Sequence, residues 1–185
     1  MKKILILKLG HRPSRDKRIT THLCLVARAF GAEGVYISGI RDDTIRESLN
    51  KMTETWGGTF WVKFNSEPMH LLKDWKIGGG MVAHLTMYGI PIKKIIQKIL
   101  SLEQDLLVIV GGEKVPKQYY LESDFNISIG DQPHSEIAAL AIFLDRITLG
   151  LWEGTLFKNA KIRIIPSDKG KTVEQISPKK ESFLR

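Results

Sequence analysis

Short runs of branched apolar residues alternate along this chain with longer stretches whose apolar positions recur every three or four residues. The short runs predict strands at 3–9 (KILILKL), 34–39 (GVYISG), 59–64 (TFWVKF), 80–86 (GMVAHLT), 105–111 (DLLVIVG) and 125–130 (FNISIG). The longer stretches predict helices. One covers 20–31, opening on a threonine and stopping at Gly31; another covers 42–57, opening on Asp42 and Asp43 and stopping at Gly57. A third covers 91–104, with Pro91 at its first position, and a fourth, the most apolar, covers 133–150 and ends at Gly150. Strand and helix alternate throughout. That order predicts an α/β fold, a mostly parallel sheet with helices on both faces. Beyond about 166 the sequence PSDKGKTVEQISPKKESFLR turns polar. It predicts a single domain over 1–165 and a loosely held basic tail over 166–185.

Composition narrows the class. At 185 residues, with 43% hydrophobic and 26% charged residues, the chain suits one globular domain. No apolar run approaches the ~20 residues that cross a bilayer. The start, MKKILILKLGHRP, lacks a long apolar segment and a small-residue cleavage site, so it predicts a first strand rather than a leader. Cys24 is the sole cysteine, which points to a cytoplasmic protein without a disulfide or a cysteine zinc site. The excess positive charge sits at the two ends. Residues 1–30 carry a net +7 and residues 158–185 a net +5, around a middle of net −4. Two basic segments that meet in the fold would form a footprint for a polyanion.

The densest cluster is GHRPSRDKRITTH, residues 10–22, directly after the first strand. It reads either as a solvated basic loop or as a grip on phosphate beside a reacting group. Three other strand ends carry glycine at or near the turn: LTMYG at 85–89, VGGEKVP at 110–116 and ISIGDQPHSE at 127–136. Ligands of open α/β sheets bind beyond such carboxyl ends. None of the three is a phosphate loop, because neither G-x-G-x-x-G nor G-x-x-x-x-G-K-[ST] occurs, and the GGG at 78–80 precedes a strand. A neutral ligand held by backbone amides and carbonyls suits them better. The sequence holds no H-E-x-x-H and no cysteine cluster, so no metal is expected.

Taken together, HRPSRDKRITTHLCLVARAFGA, LTMYG, VGGEKVP and GDQPHSEIAALAIFLDR resemble, in this order, the archaeal tRNA cytidine-56 2′-O-methyltransferases of the SPOUT (α/β-knot) superfamily. The resemblance runs over about residues 1–165. It implies a C-terminal trefoil knot, a homodimer, tRNA as partner, and S-adenosylmethionine as cofactor. The implied reaction is transfer of its methyl group to a ribose 2′-hydroxyl in the T-loop. A methylase of another RNA position or base, and an RNA-binding protein without catalysis, stand as alternatives.

The resemblance also implies residue roles. Arg28, in RAFGAEGV with Gly34 six residues on, takes the place of an arginine that contacts the ribose 2′-OH. Arginine is a poor base, its pKa lying above 12, so its implied part is to orient the hydroxyl while the proton leaves late or to water. Cofactor contacts fall on Leu85, Thr86 and Gly89 in the first loop and on Gly111, Gly112, Glu113, Lys114 and Val115 in the second. In the third they fall on Ile129, Gly130, Asp131, Gln132, Pro133, His134, Ser135 and Glu136. Gln132 and His134 stand where related sequences carry serine and asparagine; His134 and Ser135 are also candidate caps of the last helix. Arg12, Arg15, Lys17 and Arg18 are the implied phosphate contacts, with Asp16 pairing two of the arginines, and His22 either reaches RNA or stays structural.

Overall fold

A computed structural model describes residues 2–112 and 114–176. Six strands form one sheet: β1 (Ile4–His11), β2 (Gly34–Gly39), β3 (Trp61–Phe64), β4 (Met81–Pro91), β5 (Leu106–Val110) and β6 (Phe125–Ser128). Their order is β3-β2-β1-β5-β4-β6 and every pairing is parallel. The central strands are almost wholly buried; Leu106–Val110 of β5 is buried at every position. Continuous apolar runs, rather than alternation, are the mark of a parallel sheet covered on both sides. The α/β expectation holds, and the strand predictions agree to within a few residues.

One face carries α1 (Pro13–Ala29), α2 (Asp43–Trp56), α4 (Ile92–Leu100) and α6 (Glu136–Thr148), which pack Leu23, Ile45, Ile99 and Phe143 into the larger core. The other carries α3 (Pro68–Ile77) and α5 (Lys117–Glu122), over Leu5, Leu7, Leu107 and Ile109. The sequence pattern missed α3 and α5. Six-residue α5 is too short to show a helical period, and α3 hides its start behind Pro68 with one fully buried residue, Leu72.

Two expectations are corrected. The first helix begins at Pro13, so most of the basic stretch is helix, not loop. Proline at the first helical position is pre-set for the turn. Asp16, in that first turn, accepts from the Arg12 backbone N–H at 3.1 Å, anchoring the helix start. The polar tail is corrected as well. Residues 162–175 form an antiparallel hairpin of β7 (Ile162–Ile165) and β8 (Thr172–Gln175), so the boundary expected near 165 falls inside a folded element. Residues 177–185 lie outside the described residues. The hairpin base joins the far end of α2, where Lys161 N–H donates to Thr55 O at 2.9 Å and Gly58 N–H to Lys158 O at 2.8 Å. Among the described residues the cluster at 12–18 and the hairpin therefore do not meet: the cluster heads α1 at the carboxyl ends of the strands, and the hairpin lies at their amino ends.

Gly39 ends β2 with φ 110°, and a Cβ there would overlap the His11 backbone. Gly39→Ala should cost more than about 2 kcal/mol, since backbone has nowhere to retreat. Urea unfolding monitored by circular dichroism measures it.

Candidate functional site

β4, β5 and β6 lie side by side, with Leu85 opposite both Val110 and Ile127. The three glycine-bearing loops therefore leave from adjacent strands at one end of the sheet. β4 is irregular as it exits. Ile127 faces Leu85 and then Ile90, so Thr86–Gly89 bulge out of the ladder. Gly89 sits so close to β6 that a Cβ would overlap the Ile127 amide, and at Gly111 a Cβ would overlap Val115. Gly130 holds φ 93° in open space. Gly89 and Gly111 are thus required by close approach and Gly130 by backbone conformation, whereas a Cβ at Gly112 would meet nothing within 4 Å.

These loops bring together the expected cofactor residues. Val115 and Ile129 are half-buried and supply apolar surface, over a buried Leu85, beside exposed backbone at Gly112, Lys114 and Gly130–Gln132, groups without a backbone partner among the described residues. A ligand part apolar and part polar fits such a wall. Glu113 lies outside the described residues. Thr86 Oγ1 meets the Tyr120 hydroxyl at 3.2 Å. His134 does not cap α6: Ser135 does, accepting from Ile137 N–H at 3.2 Å. The His134 ring instead bridges Ile129 O at 2.8 Å and Ser135 O at 3.0 Å, bracing the third loop. Asp131, Gln132 and Pro133 are exposed on it.

The head of α1 stands beside these loops. Lys8, one residue short of the end of the β1 core, is buried, and its ammonium meets Glu136 at 3.1 Å and Leu9 O at 3.1 Å. That pair ties β1 to the first turn of α6. Asp16 is 8% exposed and accepts from Arg12 Nε at 3.2 Å, with Arg15 Nε at 3.8 Å. Burial pushes the Asp16 carboxyl up, but the hydrogen bonds from Arg12 outweigh it and hold the group below its ordinary value. The predicted pairing of Asp16 with two arginines is present. Arg15, Arg18 and His22 are exposed and fall on one stripe of the helix, at steps of three and four. Lys17 is exposed off that stripe, and its charge, together with the Thr44 hydrogen bonds, helps hold Asp42 below the ordinary carboxylate value.

Arg28 is not part of this gathering. It lies in the last turn of α1, about 22 Å from Pro13 at 1.5 Å per residue, at the amino ends of the strands. There it is 8% exposed. Its guanidinium donates to Gly57 O at 2.8 Å and stacks 4.5 Å over the Phe157 ring. Burial lowers its pKa. The resemblance set Arg28 at a ribose; in this chain the helix carries it away from the loops and packing closes over it.

Several polar residues at the site gave no motif. Lys8 was a single charge inside an apolar strand, a signal available in KILILKL. His11 is fully buried, 2.9 Å from Thr20 Oγ1 through Nδ1 and 3.9 Å from Asp42 through Nε2. His84 is fully buried and donates through Nδ1 to Asn126 Oδ1 at 2.9 Å, since Asn126 Nδ2 is committed to Tyr120 O. Burial lowers both imidazole pKa values; carboxylates beside His11, and Asn126 beside His84, oppose it without overcoming it. Cys24 is buried under α1, which pushes its thiol up to about 12 and leaves it unreactive. Among the described residues no group of three metal-ligating side chains occurs, and no helix is long and apolar enough to cross a membrane.

Two predictions follow from these environments. The unfolded chain takes up protons at His11 and His84 near their ordinary 6.5, before the folded chain does. Stability should be full above that pH and fall as pH drops below it; urea titrations from pH 8 to pH 5 measure this. Arg28→Ala should lower stability by about 1–3 kcal/mol through lost stacking and an unmet Gly57 carbonyl, with ligand affinity at the loops unchanged by calorimetry.

Comparison with known proteins agrees with this geometry. The profile of the family described as tRNA ribose 2′-O-methyltransferase, aTrm56, matches residues 56–174. A tRNA (cytidine(56)-2′-O)-methyltransferase of Methanopyrus kandleri is 52% identical over 172 residues, 93% of this chain and 96% of that protein. The Thermococcus kodakarensis protein of the same name is 48% identical over 178 residues, 95% and 98% of the two chains. Among solved structures, a TrmH/SpoU tRNA-modifying enzyme of A. aeolicus aligns with a TM-score of 0.61 at 12% identity, covering 81% of this chain and 76% of that one. The SpoU methyltransferase AviRb of Streptomyces viridochromogenes, solved with AdoMet, aligns at 0.54 and 15% identity, covering 80% of this chain and 57% of that one. The fold is shared with these enzymes, and the chain belongs to the aTrm56 family of tRNA ribose 2′-O-methyltransferases.

Proposed function

We propose that this protein methylates the ribose 2′-hydroxyl of cytidine 56 in the T-loop of tRNA, using S-adenosylmethionine. The observation that carries the reading is the 52% identity along 93% of the chain to an enzyme of that name. The site supports it. Val115 and Ile129 offer partly exposed apolar surface to an adenosyl group, and the backbone of Gly112, Lys114 and Gly130–Gln132, without a backbone partner among the described residues, offers hydrogen bonds. The cofactor, when bound, supplies a methyl carbon activated by a sulfonium. That methyl would pass to the ribose oxygen as its bond to sulfur is given up, and the hydroxyl proton would go to water.

The chain's own part is positioning. Guanidinium groups of Arg12, Arg15 and Arg18 hold phosphates beside the target ribose, with Asp16 orienting the first two. Lys17 and His22 extend the same basic surface. This stripe takes the ribose-side role that the resemblance gave to Arg28. A homodimer and a trefoil threading of the C-terminal half go with the reading, and insertion of β5 between β1 and β4 supports the latter. The cytoplasm is the expected compartment, since tRNA resides there.

The test incubates the protein with unmodified tRNA transcript and methyl-labelled S-adenosylmethionine, then maps the label after nuclease digestion. Label on the ribose of nucleotide 56 is expected; label on a base overturns the chemistry. Arg12→Ala/Arg15→Ala/Arg18→Ala should raise KM for tRNA at least tenfold, with cofactor affinity by calorimetry unchanged.

A further inference from the structure

The β7–β8 hairpin has no place in the site described above, yet it is folded and exposed. Every residue from Arg163 to Gln175 is exposed. Ile164 and Val173 face each other across the ribbon at 62% and 54% exposure. A two-stranded ribbon with neither face packed is marginal in water and gains stability where a partner lies on it. Its base is held firmly. Lys161 N–H donates to Thr55 O, Ile176 N–H to Lys161 O at 2.7 Å, and neighbouring Phe157 lies under the Arg28 guanidinium. The ribbon is thus presented at a set position, about 20 Å along α2 from the strand carboxyl ends.

Its net charge is positive. Residues 158–176 carry Lys158, Lys161, Arg163, Lys169 and Lys171 against Asp168 and Glu174. Glu174 is spent on Arg163 at 2.6 Å. The four lysines have no carboxylate within ion-pair distance among the described residues, and Lys169 and Lys171 sit at the turn. A second copy of this chain, at net +8, would bring like charge to the ribbon. RNA brings the opposite charge. Lysines are compact point charges suited to phosphate contact without base reading.

We propose that the β7–β8 hairpin is a second RNA-contact surface that grips tRNA phosphates through Lys158, Lys161, Lys169 and Lys171, remote from the reacting ribose. The proposal rests on the tRNA reading above. It assigns the hairpin to affinity and orientation and leaves chemistry to the other end of the sheet.

The test uses the full chain and Lys169→Ala/Lys171→Ala, two exposed changes that leave the ribbon backbone intact. Binding of unmodified tRNA transcript is measured by fluorescence anisotropy from about 50 to 300 mM KCl, with cofactor affinity, melting temperature, sedimentation and methyl transfer alongside. Expected are a several-fold rise in Kd near 0.1 M salt and a slope of log Kd against log salt lower by about 1 to 2 units. KM for tRNA should rise with kcat, cofactor affinity and melting unchanged. An unchanged Kd and slope, while the unaltered chain binds and methylates tRNA, overturns the surface. So does an altered sedimentation coefficient with an unchanged slope, which would make the hairpin a subunit contact. If the unaltered chain binds tRNA and transfers no methyl, yet the variant loses slope, the surface stands and the activity proposed above falls.

Discussion

A charge that the fold buries must be paired, and Lys8 is buried at the carboxyl end of the central strand β1. Its partner, Glu136, is 128 residues away, in the first turn of the last helix of the domain. Removing one member would strand the other in the interior, at a cost of about 3–5 kcal/mol. The pair therefore closes the fold on itself. It fixes the third glycine loop, which ends at Glu136, against the strand that leads into α1. Through that contact the loops suited to a cofactor and the helix head suited to phosphate share one frame.

The parallel sheet explains why those parts gather at one end. Every strand points the same way, so the exits of β4, β5 and β6 lie together and α1 starts beside them. Every crossover helix runs back to the opposite end. Arg28 travels that distance on α1 and ends in a structural clasp with Gly57 and Phe157, close to the base of the hairpin. The molecule has two basic surfaces, divided by the length of a helix. The one at the loops stands next to the three glycine turns; the one on the hairpin stands clear of them.

Buried polar groups mark the loop end of the sheet as costly to build. His11 reaches Thr20, and its other ring nitrogen faces Asp42, the cap of α2. The arrangement joins the ends of β1, α1 and α2, with His11 and Thr20 fully buried and Asp42 at the edge of solvent. His84 and Asn126 do the same between β4 and β6, with Tyr120 leading out to Thr86 in the first loop. Such networks hold loop roots rigid, which a transfer reaction that depends on placing two atoms in line requires.

Read without structure, the chain determined the six strands of its sheet, four of its helices and its three glycine turns, because apolar periodicity and turn chemistry are local. GVYISG and DLLVIVG can be little other than buried strands, and Asp42 and Gly57 bracket a helix by their own side-chain and backbone preferences. The motif order was equally legible, and with it the family. The start of α1 at Pro13 is also set locally, by the proline and by Asp16 four residues past Arg12, but the run of charges there hides the apolar period that would mark it as helix. Local signals could not show that the polar segment after 165 pairs as a hairpin, where the exposed residues carry no alternating burial pattern. The placement of Arg28 was decided by tertiary structure alone. Counting residues fixes its position along a helix, but only the sheet's direction decides which end of the molecule that helix reaches.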